Sequence, residues 1–271
     1  MPHTLSVYRW ELRKLVAQKR TYIGLGAAAL LPVVFVTVMA LQKGGPYDAP
    51  LGHNLRRTGL ALALVVLNFV SRFGAQLAAA LVAGDIVSSE HSGKTLKMIL
   101  TRSLRRGQIL TGKTLASFTY VVATILVLGA AGLIAGSAAW GFNPLTNLSG
   151  VRVSALHTLW LSVVALGVFA LPLIAVAAFA IFLSTWTRNS AASIVGTLVY
   201  ALSMEAIAGL VHRPWAQHYL LSDQFDAWHG LFRSPTDWML VGRAFWVSAA
   251  FSVVPLAAAW LFFRRRDVAG E

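Results

Sequence analysis

Cysteine is absent from the 271-residue chain, and charged side chains are scarce. Without cysteine the protein has no disulfide, no thiolate metal site and no cysteine nucleophile. Charged residues make up 12% of the sequence and hydrophobic residues 57%, whereas soluble domains carry about 25% charged residues. The chain therefore lacks the polar surface that a soluble protein needs, and we expect it to reside in a membrane.

Long apolar runs fit that location, because several approach the roughly 20 apolar residues that cross a bilayer as a helix. Strands of a transmembrane barrel alternate apolar and polar residues over about 10 positions, and runs such as 120–139 do not alternate. Gly132 and Gly136 in that run predict a face for close helix packing. The sequence predicts one all-α integral membrane domain, residues 1–271, with six transmembrane helices at about 22–41, 59–83, 114–139, 155–183, 190–211 and 241–263.

Basic residues outnumber acidic ones by 23 to 10, which gives a net charge of +13. In a soluble protein this excess would suggest nucleic acid. In a membrane protein it reflects basic residues that face anionic lipid, so we expect the lipid bilayer and no nucleic acid as a partner. If the chain crosses the membrane six times, 15 basic residues lie on the same side of the membrane as both termini, and seven lie on the opposite side. The positive-inside rule therefore predicts that both termini are cytoplasmic.

Residues 1–21 precede the first span and are predicted to form an interfacial helix. Their apolar residues fall on one arc of a helix with 3.6 residues per turn, and most basic residues lie outside it. The alternative is a cytoplasmic extension of the first span. The apolar arc consists of Leu5, Tyr8, Leu12, Leu15 and Val16.

The segment between spans five and six is long and aromatic. Tryptophan and tyrosine favour the headgroup zone of a bilayer, so this segment predicts short helices in the outer leaflet. Its aromatic residues are Trp215, Tyr219, Phe225, Trp228, Phe232 and Trp238. Possible metal ligands also occur here, but no pair has ligand spacing on one helical turn, so no metal site is predicted. Those residues are His212, His218, Asp223, Asp226, His229 and Asp237.

Residues 107–114, Gly-Gln-Ile-Leu-Thr-Gly-Lys-Thr, match the phosphate-loop pattern of nucleotide-binding proteins letter for letter. That loop functions between a strand and a helix of an α/β domain. Here the pattern follows a basic segment and leads directly into a transmembrane run, and no strand supplies a second magnesium ligand. We therefore expect no nucleotide binding by this loop. Energy for any active transport must come from a partner or from a gradient.

A basic, amphipathic segment between spans two and three, residues 85–106, interrupts the apolar sequence on the predicted cytoplasmic side. It resembles the cytoplasmic loop of ABC-2 type permeases, the membrane subunits of type-2 ABC exporters. That loop typically shows a Glu, then Gly-Thr-Leu, an apolar pair, Thr-x-Pro with Ser-Arg, and a Gly-Lys that enters the third span. Lys94 here separates Gly93 from Thr95, and Ser103 stands where proline is usual. The matching residues are Glu90, Gly93, Thr95, Leu96, Ile99, Leu100, Arg102, Gly112 and Lys113.

The resemblance implies separate partners. A permease of this family dimerises, with a homodimer favoured here, and binds two ATPase subunits that hold ATP and magnesium, so this chain would need no cofactor. It would lie in the inner (plasma) membrane of a bacterium. Residues 85–100 would form a coupling helix in a groove of the ATPase, anchored by Leu96, Ile99 and Leu100. Charged residues at the rim of this helix would steer its contact with the ATPase. These residues are Glu90, Lys94, Lys97 and Arg102. The alternative is a basic loop held to anionic lipid.

Two charged residues fall inside predicted spans: Arg72 in span two and Glu205 in span five. Counted from the inner helix ends, their depths differ by about 6 Å, so the two side chains could pair. Asn68, Ser71, Arg72 and Gln76 share one helical face, as expected of a surface turned away from lipid. By resemblance, spans two and five line the dimer interface where substrate crosses. Asn68, Arg72, Gln76 and Glu205 are therefore candidates for a translocation path or gate, with a structural ion pair or a snorkelling arginine as the alternative.

Three functions follow, in order of preference. The first is a permease subunit of an ABC exporter, which would carry no catalytic residue of its own. The second is a gradient-driven secondary transporter, although such proteins usually show more spans, internal repeats and broken helices. The third is a membrane-embedded enzyme, which would need catalytic residues clustered at one depth. An ATPase encoded next to this chain would favour the first.

Overall fold

The computed structural model describes residues 2–41, 51, 57–89, 106–187, 189–211 and 213–265. Over these residues the protein is a helical bundle with one small hairpin. The elements are α1 (Pro2–Val16), α2 (Lys19–Leu41), α3 (Gly59–Arg72), α4 (Gly74–Ala83), α5 (Arg106–Trp140), β1 (Leu145–Thr146), β2 (Arg152–Val153), α6 (Ala155–Thr187), α7 (Ser190–Leu210), α8 (Pro214–Gln217), a 3₁₀ helix (Ser222–Phe232) and α9 (Trp238–Arg265). The antiparallel hairpin pairs Leu145 with Val153.

Five of these helices are long and apolar enough to cross a membrane: α2, α5, α6, α7 and α9. Helices α3 and α4 meet the same criterion as a pair, which makes up to six spans if the pair crosses once. This is the architecture of an all-α, multi-pass membrane protein, as the sequence predicts. Helix α5 begins at Arg106 rather than near residue 114, because a helix continues beyond the apolar run that the prediction relied on.

The span predicted over residues 59–83 consists of two helices rather than one. Helices α3 and α4 are bent by 46° relative to each other, and Phe73 at the break has φ −120° and ψ −59°. Gly74 follows directly, and glycine disfavours a helix by about 1 kcal/mol relative to alanine. The break places Arg72, the last residue of α3, where the two half-helices diverge.

Helix α6 is the central element of the bundle. In the most apolar stretch of α6, 72% of the residues are buried inside the protein. In the other four long helices this share is 17–39%. Its contacts with α9, α7, α4 and α5 surround it. Small residues allow this close packing, and fully buried ones include Ala165, Ala175, Ala177, Ala178 and Ala180.

The glycine face predicted in span three is confirmed. Gly132 faces Ala63, and Gly136 lies against Gly59 at the start of α3. A Cβ atom on Gly136 would lie 2.5 Å from the carbonyl oxygen of Gly59 and 3.2 Å from its Cα. Backbone cannot rotate out of the way as a side chain can, so the α3–α5 contact requires glycine.

Replacing Gly136 with alanine should therefore destabilise the protein by about 1–3 kcal/mol, because the new methyl group forces α3 and α5 apart. Thermal unfolding of the purified protein in detergent measures the effect. Gly167→Ala is the matched control, since a Cβ there meets no described atom within 4 Å; it should be neutral or stabilising by up to about 1 kcal/mol. Equal behaviour of the two variants would refute the close α3–α5 contact.

The N-terminal helix is separate from the first span, since α1 ends at Val16 and α2 begins at Lys19. Its buried side differs from the predicted apolar arc. Val7, Glu11 and Leu15 are buried against the bundle, whereas Leu5 and Val16 are exposed. Gly112 of α5 permits this approach, because a Cβ there would lie 2.6 Å from Cγ1 of Val7. Whether the exposed side of α1 lies on a membrane stays a prediction.

The segment between α7 and α9 forms short helices as predicted, but its 3₁₀ helix packs into the bundle. Phe225, Trp228 and Phe232 are at most 1% exposed, and the Trp228 ring lies 6.1 Å from that of Phe169 in α6. Aromatic residues outside the 3₁₀ helix, Trp215 and Trp238, are exposed. The aromatic face of the 3₁₀ helix is covered by α6 and α9, and its placement in the outer leaflet stays a prediction.

Candidate functional site

The predicted coupling residues lie in residues 90–105, outside the described part of the chain. Glu90, Gly93, Thr95, Leu96, Ile99, Leu100 and Arg102 therefore stay predictions. The structure does describe residues 84–89, which lead from α4 into that segment. We call residues 84–89 the root segment. It lies at the basic end of the bundle, which we define by the beginning of α5 at Arg106 and the end of α9 at Arg265.

Serine hydroxyls bind the root segment to α6 and α7. The backbone N–H groups of Val87 and Ser88 donate to Oγ of Ser184, at 3.2 and 3.0 Å. Ser184 in α6 is fully buried. Oγ of Ser88 donates to the carbonyl oxygen of Gly84 at 2.9 Å and lies 3.0 Å from Oγ of Ser190 at the beginning of α7. The backbone of the root segment is thus held against two transmembrane helices.

Asp85 joins the root segment to α2 and again to α7. Its carboxylate is nearly buried, forms a salt bridge with Arg20 near the beginning of α2, and accepts a hydrogen bond from Oγ of Ser190. Gln18 orients the arginine, since Nε and Nη2 of Arg20 donate to its Oε1 at 2.9 and 2.8 Å. A buried carboxylate needs such partners, because desolvation disfavours its charge.

Lys113 joins the root segment to α1 and α5. Its ammonium group is fully buried and donates to Oε1 of Glu11 at 2.8 Å and to the carbonyl oxygen of Ile86 at 3.0 Å. The side chain of Glu11 is 2% exposed. Lys113 is the lysine of the phosphate-loop pattern, and residues 107–114 lie within α5. These residues form a helix rather than a loop, and their lysine holds a carboxylate of the chain itself.

A second polar cluster surrounds Arg72 at the break between α3 and α4. Nη2 of Arg72 lies 2.7 Å from Oδ2 of Asp226 in the 3₁₀ helix, and Nη1 lies 3.7 Å from Oε2 of Glu205 in α7. The structure therefore brings Arg72 and Glu205 together. It also adds Asp226, a closer partner that the sequence offered only as a possible metal ligand.

The helical face shared by Asn68, Ser71, Arg72 and Gln76 is turned into the bundle. Ser71 and Gln76 are buried and Asn68 is half-buried, whereas Phe69, Phe73 and Leu77 on the other faces are exposed. Several buried polar atoms around Arg72 have no hydrogen-bond partner among the described residues. They are Oδ1 of Asn68, Oγ of Ser71, Nε of Arg72 and Oε1 of Glu205. Such atoms are uncommon in folded proteins and call for water or a bound group.

His229 lies in the 3₁₀ helix, three residues after Asp226. The His229 ring lies 4.3 Å from the Trp228 ring. Burial lowers the pKa of His229, and the nearby Asp226 carboxylate opposes that shift. A histidine with a lowered pKa takes up its proton less readily in the folded state. Its contribution therefore favours unfolding as the pH falls below the ordinary histidine value of 6.5.

Within the described ranges, no three histidine or acidic side chains come together as a metal-binding group. Asp223, one of the possible ligands in the sequence, instead lies 3.5 Å from Arg243 in α9 and 3.4 Å from His218. Asp223 and Asp226 thus form ion pairs with arginines of α9 and α3.

Five or six apolar spans, a buried charge network at one end and a polar cluster among the helices define a multi-pass, helical membrane protein. The chain belongs to the family described as "Protein of unknown function (DUF2705)", whose model matches residues 29–269. That range includes Asp85, Lys113 and the Arg72 cluster, and begins after Glu11 and Arg20. No curated protein matches the chain.

Proposed function

We propose that this chain is the membrane-spanning permease subunit of an ATP-driven, type-2 ABC exporter. It works as a dimer, with a homodimer favoured, and two separate ATPase subunits bind ATP and magnesium. The basic end, with both termini, faces the cytoplasm of a bacterium, and residues 90–102 contact the ATPase. The chain itself catalyses no reaction.

The bonding of the root segment to several helices is the observation that supports this function most. A loop that receives motion from a soluble ATPase must pass it to the transmembrane helices. The root segment is bonded to α2 through Arg20, to α5 through Lys113, and to α6 and α7 through serines. A basic loop that merely lies on anionic lipid requires no such buried network. Motion of residues 90–102 would therefore reach four helices at once.

The exposure of helix α7 is evidence for a dimer. Only 17% of its most apolar stretch is buried within one copy of the chain, the smallest share among the five long helices. Yet it carries Glu205, a charged residue that is costly to expose to hydrocarbon. A second copy that packs on α7 would cover this helix and enclose the Arg72 cluster between the two halves.

The Arg72 cluster supports a polar path through that dimer. Intramembrane charges usually face a cavity or a partner rather than lipid. Asn68, Arg72 and Glu205 each carry a buried polar atom without a partner among the described residues, and Gln76 is buried on the same face. These four residues would contact a polar group of the cargo, or water, while a substrate crosses.

The test replaces Leu96 and Leu100 with aspartate in the full-length chain. Two buried charges in an apolar groove should weaken ATPase binding by at least about a hundredfold. Membranes are solubilised from a bacterium that produces the chain, and the chain is purified after crosslinking. Co-purified ATPase is identified by its phosphate loop and its ATP hydrolysis, and the crosslinked residues are mapped.

The matched control is Leu148→Asp with Val151→Asp. These exposed residues lie beside the β1–β2 hairpin, which follows α5 and is far from the root segment. This variant adds the same two charges and should retain the ATPase. Full ATPase capture by the Leu96/Leu100 variant would contradict the coupling role. Transport that continues without any ATPase would favour a gradient-driven transporter instead.

A further inference from the structure

A cavity of about 600 Å³ opens at the basic end of the bundle, apart from the root segment and the Arg72 cluster. It lies between the beginning of α1, the beginning of α5 and the end of α9. Protein cavities of about 300–1,000 Å³ commonly hold small organic ligands. The cavity is lined by Thr4, Arg106, Gly107, Gln108, Thr111, Trp260, Phe263 and Arg264.

The polar lining of this cavity favours an anion. Among the described residues, two arginines and no acidic residue contribute to it. Nη1 of Arg106 donates to the carbonyl oxygen of Arg264 at 3.0 Å, which holds the end of α9 against the beginning of α5. The Arg264 guanidinium lies over the Trp260 ring, 5.2 Å from its centroid. Both guanidinium groups are thereby kept beside the same space, and guanidinium matches the geometry of phosphate oxygens.

The surroundings of the cavity indicate where such an anion comes from. Arg106 and Arg264 stand at the ends of α5 and α9, two helices long and apolar enough to span a membrane. Trp260 and Phe263 form an apolar wall beside them, and Trp260 is 42% exposed. Tryptophan beside arginine at the end of an apolar helix is typical of the headgroup zone. A phosphate bound here would keep its acyl chains along the exposed side of α9.

From this arrangement we infer that the cavity binds the phosphate of an anionic phospholipid headgroup, held by Arg106 and Arg264. A soluble phosphate compound shares the same chemistry, and the experiment separates the two sources. The inference does not depend on the proposed transport function, because a headgroup site at this position serves any membrane protein.

The experiment measures thermal unfolding of the full-length protein in a neutral detergent. Phosphatidylglycerol, phosphatidylcholine and inorganic phosphate are titrated separately. Phosphatidylglycerol should raise the unfolding temperature of the unmodified protein at the lowest concentration. Each guanidinium that bonds directly to the headgroup phosphate should contribute about a fivefold gain in affinity, so Arg106→Gln with Arg264→Gln should bind this lipid about thirtyfold more weakly. Arg264→Gln alone should bind about fivefold more weakly, and it keeps the Arg106 bond to the Arg264 carbonyl.

The matched control is Arg9→Gln with Arg13→Gln, which removes the same charge from exposed positions of α1 outside the cavity lining. It should retain the full response to phosphatidylglycerol. An equal loss in this control would overturn the site, since it would show diffuse attraction to a basic surface. An equal response to phosphatidylcholine would also overturn it. Inorganic phosphate acting as strongly as the lipid would overturn the lipid as its source.

Discussion

Replacing Lys113 with methionine should lower the free energy of unfolding by about 3–5 kcal/mol, the largest single effect that we expect in this protein. The reason is the buried carboxylate that would remain. Glu11 is nearly inaccessible and lies 2.8 Å from the Lys113 ammonium, and a buried charge that loses its partner keeps its desolvation cost. The root segment would also lose the bond to the Ile86 carbonyl. Chemical unfolding in detergent, followed by circular dichroism, measures the loss.

Two further variants distinguish a broken ion pair from a general effect of the substitution. Lys19→Met removes an exposed lysine and should change stability by no more than about 0.5 kcal/mol. The double variant Glu11→Leu with Lys113→Met should recover most of the lost stability, because apolar residues of similar volume often replace a buried pair without loss. A double variant as unstable as Lys113→Met would show that packing, rather than charge, is responsible.

Replacing Arg72 with methionine should cost about 2–3 kcal/mol at pH 7. Asp226 and Glu205 would then face each other across the break between α3 and α4 without the cation that joins them. The value is smaller than for Lys113, because the Arg72 side chain is 25% exposed and water screens part of the interaction.

Arg152→Met in β2 removes an exposed arginine and is the matched control for Arg72→Met. Unfolding of both variants is followed at pH 7. Combining Arg72→Met with Asp226→Asn should recover part of the loss, which assigns that part to the 2.7 Å pair. If Arg72→Met is as harmless as Arg152→Met, the cluster holds no energetically important ion pair.

The transmembrane helices could be predicted because their signal is local. Apolar runs of sufficient length locate α2, α6, α7 and α9 to within a few residues, and Gly132 and Gly136 identify the packing face of α5. The break at Phe73 was missed, because hydropathy averaged over a window is insensitive to one residue outside the helical region.

The charge partners could not all be predicted, because they join residues far apart in the chain. Predicted depths that differ by only about 6 Å suggested that Arg72 could meet Glu205. Nothing in the sequence indicated that the 3₁₀ helix folds inward and brings Asp226 closer still. Glu11 was overlooked because a lone carboxylate on an amphipathic helix normally faces water. Its burial depends on Lys113, which hydropathy treated as the polar edge of a span.

The pair between Glu11 and Lys113 also constrains the order of assembly. The two residues are 102 positions apart, so α1, α2, α3 and α4 are all synthesised before the lysine exists. Until then the Glu11 carboxylate lacks the Lys113 ammonium and requires water. The N-terminal helix can therefore complete its docking only after the ribosome has produced the beginning of α5.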